Sequence, residues 1–103
     1  MDAIALGALA TTAVRVVLPY LGKAGEAFSE KAGERLFEFL KTRFEKKPAA
    51  GTALEALEKV PQDAALQQAV HAHLQDLLTE DPAALLELQK LLEEIRGRKN
   101  SAN

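Results

Sequence analysis

The chain has no cysteine and no tryptophan, and its single methionine is residue 1. Without thiols it forms no disulfide and offers no thiolate metal ligand, which fits a reducing compartment. A strong excess of either charge is missing too: 13 basic residues stand against 15 acidic ones, for a net charge of −2. Nucleic acid needs lysine and arginine clustered on one face, so no nucleic-acid partner is expected. Histidine is scarce, and His71 and His73 lie two positions apart. On a helix that spacing turns them roughly 200° away from each other, so they cannot share a metal as an i, i+4 pair could. His73 falls on an apolar stripe and reads as a partly buried, hydrogen-bonded side chain. No serine or cysteine nucleophile motif is present, and no glycine-rich phosphate loop follows a strand. The glutamates recur beside lysine and arginine at i, i+4, the pattern of a solvated helical face. Together these absences predict no enzyme: no catalytic residue, no cofactor site and no metal site.

What is present is helix. The length suits one domain, and 48% apolar with 27% charged residues is an ordinary soluble composition. No stretch alternates with a period of two, whereas every periodic segment follows the helical repeat. The first runs from Asp2 to about Leu18, where Pro19 should break or kink it. After Gly22 and Gly25 a second reaches about Phe44. It carries Phe28, Ala32, Leu36, Phe39 and Leu40 on one stripe, with Phe37 and Phe44 on its flank and Glu26, Glu30, Glu34, Glu38 and Lys41 opposite. The stretch "KKPAAGT" (residues 46–52) reads as a connector. Thr52 and Glu55 have capping-box spacing, so a short helix should start there and turn Leu54, Leu57 and Val60 inward. Asp63 should cap a helix to about Thr79, with Leu66, Val70, His73, Leu74 and Leu77 inside. Asp81-Pro82 is a cap followed by proline at the first helical position, and Leu85, Leu88, Leu91, Leu92 and Ile95 should line the last helix until Gly97 stops it. The expected fold is all-α: a compact bundle of four to five helices over residues 1–97, followed by a polar tail or linker over 98–103.

The opening segment differs from the rest. Leu6, Leu9, Ala13, Val16, Val17 and Tyr20 share one face, while Ile4, Ala8, Thr11 and Arg15 share the other. A helix apolar nearly all round is either central to a bundle or destined for lipid. Ala3, Gly7 and Thr11 form a small-xxx-small ladder of the kind that lets helices approach closely in membranes, and it suits a tight soluble core equally well. Residues 3–18 span about 24 Å as helix against roughly 30 Å of hydrocarbon. Arg15 would cost about 2.5–3.5 kcal/mol at the bilayer centre but sits near one end, where it can snorkel. A constitutive membrane anchor is therefore not expected, whereas a helix able to live in a bundle or enter lipid is. No secretory leader is expected either, because Asp2 stands where a positive charge belongs. Although Ala8-Leu9-Ala10 mimics a cleavage site, the apolar run before it is too short. The chain reads as uncleaved and intracellular.

The stretch "LPYLGKAGEAFSEKAGERLFEFLKTRF" after an apolar first helix, and the closing pattern "LQDLLTEDPAALLELQKLLEE", resemble the bacterial Bell domains. These are counterparts of fungal HeLo and HeLo-like domains and of the helical executioner domain of necroptosis. The resemblance covers nearly the whole chain. It implies a membrane-permeabilising, pore-forming cell-death effector in bacterial immunity and antiviral defence, activated by oligomerisation and release of the N-terminal helix. The membrane-active segment would be residues 2–18, with Ile4, Leu6, Leu9, Val14, Val16, Val17 and Leu18 entering lipid. The implied partners are membrane lipid, further copies of the chain and a receptor reached through an amyloid signalling motif; the implied location is the cytoplasm, moving to the inner face of the plasma membrane. The closing "GRKNSAN" departs from the family pattern, since no Gly/Asn/Gln-rich motif follows it in this sequence. The alternative expectation is a helical adaptor that assembles protein partners without touching lipid.

Overall fold

Proline and aspartate set most of the helix starts. The computed structural model describes the backbone of residues 3–21 and 30–101, and side chains at 4–18, 21 and 33–95. It contains α1 (Ala3–Leu21), α2 (Glu30–Phe44), α3 (Pro48–Lys59), α4 (Ala64–Glu80) and α5 (Pro82–Ser101), and no strand among the described residues. This is the expected all-α bundle. Its radius of gyration of 13.0 Å is that of a folded globule of about this length.

Asp63 caps α4 as its sequence position demands, its carboxylate accepting from the Leu66 N–H at 3.1 Å. Asp81 does more. One carboxylate oxygen accepts from the N–H groups of Ala83 and Ala84, at 3.1 and 3.2 Å, while the other lies 3.5 Å from the Arg43 guanidinium. Residue 81 alone links α4 to α5, so this side chain sets both the helix start and the corner. Asp81→Ala should therefore cost about 1–2 kcal/mol, the upper range for a lost cap, read as a lower urea midpoint with unchanged slope.

Several expected boundaries move. Pro19 does not end α1, which continues to Leu21; so near the C-terminus, its missing N–H costs one hydrogen bond and leaves the last turn in place. The connector shrinks to residues 45–47, because Pro48 occupies the first turn of α3, where its absent N–H and fixed φ are suited to a helix start. Thr52 consequently lies inside α3 and exposed, not at a cap. Leu54 and Leu57 are buried as expected, but Val60 is the C-cap and 49% exposed. Gly97 does not stop α5, which continues to Ser101. Phe28 and Glu26 lie outside the described residues.

The core draws on all five helices. Val17, Leu36, Leu40, Leu57, Val70, Leu74 and Leu88 are fully buried, as are the small residues Ala10, Ala13, Ala50 and Ala84. Phe39 and Phe44 are buried too, and Phe37 is half-buried. Helix α1 packs chiefly against α2 and α4; α5 also packs against α2 and α4, with at most marginal direct contact to α1. Helices α2 and α5 run antiparallel. Arg35 and Arg43 of α2 meet Glu94 and Glu87 of α5, and Gly7 and Thr11 of α1 meet His71 of α4.

Candidate functional site: the seat of the first helix

Apolar burial runs through all five helices, and ion pairs add to it on some of them. Helix α5 is tied to α2 by ion pairs: Arg35 Nη1 donates to Glu94 at 2.6 Å, and Arg43 donates to Glu87. Arg43 also lies 5.6 Å from the centre of the Phe39 ring, so one guanidinium ties α2 to the corner before α5. Lys47, between α2 and α3, donates to Glu80 of α4 at 2.8 Å. That hydrogen bond and the Glu80 charge raise the Lys47 ammonium above the usual lysine pKa.

Helix α1 joins none of these, and takes part in no ion pair among the described residues. Apolar burial holds it instead. Leu6, Val14 and Val17 are buried, with exposures of 7%, 7% and 0%, while Leu9, Val16 and Leu18 are half-buried against the same core. Six of the seven residues expected to enter lipid are thus packed into the bundle. Ile4 is not among them: at 83% exposed it lies with Ala8, Thr11, Thr12 and Arg15 on the solvent side.

A polar contact from α4 reaches α1 through His71. Its Nε2 lies 3.2 Å from the Gly7 carbonyl and 3.1 Å from the Thr11 hydroxyl. A carbonyl oxygen only accepts, so this geometry assigns the proton to Nε2, shared between Gly7 O and Thr11 Oγ1. Gln75, one turn away, lies beside Gly7, and Gln67 and Gln68 face Val14, Arg15 and Leu18 across a shallow groove of about 490 Å³. The small residues of the ladder therefore meet a polar strip on α4. Sequence reasoning missed this role for His71. The available signal was the i, i+4 series Gln67, His71, Gln75, which matches the rise of Gly7 and Thr11 on the facing helix. His73 points elsewhere, as its spacing requires, and is half-buried; in place of the expected hydrogen bond it meets the Phe44 ring edge-on, with centroids 6.5 Å apart.

Gly7 has room for a side chain. An added Cβ would lie 3.7 Å from Gln75 Nε2, an ordinary contact. Gly7→Ala should then stabilise the folded chain by roughly 0.5–1 kcal/mol through helix propensity, read as a higher urea midpoint.

Among the described residues no group of three or more acidic or histidine side chains could hold a metal, and no helix is long and apolar enough to cross a membrane. No protein-family profile, characterised protein or solved structure matches the chain.

Proposed function

We propose that this chain is a membrane-permeabilising effector domain of the cell-death type, in which α1 is stowed in the bundle at rest and enters the inner face of the plasma membrane when copies assemble. The observation that carries this reading is the unequal attachment of the helices. Lipid can replace apolar contacts but not ion pairs; α1 is seated mainly by apolar contacts and joins no ion pair among the described residues, whereas α5 adds ion pairs with α2 to its own buried Ala84 and Leu88. A bistable element of this kind needs an apolar side satisfied equally by protein or hydrocarbon, and oligomerisation then tips the balance.

Helix α1 is 19 residues long, about 28 Å at the helical rise, and does not qualify as a lone membrane span. Insertion is accordingly a property of several copies together. Leu6, Leu9, Val14, Val16, Val17 and Leu18 would face lipid, while the small side of the helix, Gly7, Ala8 and Thr11, would let neighbouring copies approach closely. Arg15, near the end, can reach the headgroups.

The test is dye release from vesicles of phosphatidylethanolamine and phosphatidylglycerol by the purified chain. This reading expects release that rises more steeply than linearly with protein concentration. An adaptor without membrane activity is the competing proposal, favoured by the open groove between α1 and α5. Assembly in buffer with no dye release at any concentration would select it.

A further inference from the structure

His71 stands on α4, and two acceptors within reach of its Nε2–H stand on α1: the Gly7 carbonyl at 3.2 Å and the Thr11 hydroxyl at 3.1 Å. We propose that this contact is a catch that keeps α1 in its seat at rest, and that His71 sets how often the helix leaves. Its purpose rests on the membrane reading; the catch itself is measurable without lipid.

What singles out this contact is the state it leaves behind when it breaks. The Gly7 carbonyl also accepts within α1, as the helical ladder requires, so losing the imidazole does not orphan it. The Thr11 hydroxyl can turn back onto the carbonyl four residues earlier in its own helix, as the neighbouring Thr12 does to Ala8 at 3.0 Å. Both polar groups that α1 takes from this contact into lipid are then satisfied inside the helix, which is the condition hydrocarbon imposes. The donor stays on α4. His71 is half-buried at an open groove with Arg15, Gln67 and Gln68, and water replaces its acceptors once α1 departs. Release therefore costs one net hydrogen bond and leaves no polar group unpaired. An ion pair in the same place would carry a charge into the bilayer, at a much higher cost. Direction supplies the rest. The apolar contacts of Leu6, Val14 and Val17 tolerate small rotations of the helix, whereas a ring nitrogen held against two chosen oxygen atoms fixes one setting.

The experiment is hydrogen exchange read by mass spectrometry in lipid-free buffer, comparing the amides of α1 with those of α3 and α4. His71→Phe keeps a ring and removes the donor. It should speed the exchange of α1 about fivefold, the worth of one net hydrogen bond, and leave α3 and α4 at parental rates. His71→Gln carries an amide N–H at the reach of Nε2 and should return α1 to within about twofold of the parent. Nitrogen NMR of the parent in mildly alkaline buffer, which needs no variant, should place the imidazole proton on Nε2. With vesicles of phosphatidylethanolamine and phosphatidylglycerol, His71→Phe should release dye at about one-fifth of the parental protein concentration. Unchanged α1 exchange in His71→Phe overturns the proposal, as does a rise shared equally by every helix, which is a loss of stability at large. So does a glutamine that fails to restore α1, or a proton found on Nδ1. If His71→Phe loosens α1 alone and no chain releases dye, the catch stands and the membrane reading falls.

Discussion

Ala8→Lys should fold like the parent and lose at least nine-tenths of its dye-release activity. In the resting bundle residue 8 is exposed on the side of α1 that carries Thr11, Thr12 and Arg15. A lysine there extends into water, and such surface substitutions shift stability by no more than about 0.5 kcal/mol. For a domain near this size that is about 4 °C in melting temperature at most. In lipid the same substitution acts twice. A charge within the apolar length of the helix costs about 2.5–3.5 kcal/mol at the centre of the bilayer, less where it can snorkel. The long side chain also props apart helices whose small faces must meet. Glu34→Lys is the control, since residue 34 is exposed on α2 and takes no part in the release of α1. The expected pattern is parental melting for both variants, with dye release lost in the first and kept in the second. If folded Ala8→Lys releases dye at the parental rate, α1 is core and nothing more, and the adaptor reading moves ahead.

The largest effect on stability is expected at Phe39. The ring is 5% exposed and lies beneath Arg43, whose guanidinium reaches Asp81 and Glu87. Phe39→Ala leaves a cavity the size of an aromatic ring, and truncations of that kind cost about 3–5 kcal/mol. It also removes the surface that orients Arg43, so the corner between α4 and α5 should loosen with the core. Urea unfolding followed by circular dichroism reads the loss directly. Against the 5–15 kcal/mol typical of a whole domain, the variant should be close to unfolding at 37 °C. A variant that unfolds at the parental urea concentration would mean that this ring carries no core packing.

The membrane reading and the His71 catch are measured under different conditions, and that separates them. Dye release requires vesicles and the departure of α1 from its seat. Exchange of the α1 amides is read in plain buffer, without lipid. A His71→Phe chain that loosens α1 yet releases no dye would show that a freed first helix does not enter the bilayer.

Much of this architecture is set by local chemistry and so can be read without tertiary information. Asp63 and Asp81-Pro82 mark helix starts because a carboxylate satisfies free N–H groups wherever the chain turns into a helix. The stripe of Leu36, Phe39 and Leu40 follows from the helical repeat alone, and all three are buried. The two faces of α1 were legible for the same reason, with Ile4, Ala8, Thr11 and Arg15 turned to solvent. Boundaries were less legible where one residue serves two roles. Pro48 can close a connector or open a helix, and Gly97 can end a helix or pass through it at a cost of about 1 kcal/mol. Neighbouring packing decides between such small differences.

Partnership across the chain is what only the tertiary structure decided. Nothing within a few residues of His71 says that its ring reaches Gly7 and Thr11, more than sixty positions earlier for Gly7. The same holds for Arg43, which reaches past its own helix to Asp81 and Glu87. Periodicity reports which side of a helix turns inward, because that depends on each residue's own preference for water. It does not report which helix waits there, because many partners would bury the same stripe equally well. The seat of α1 and the groove beside it exist only once α2, α4 and α5 have taken their places.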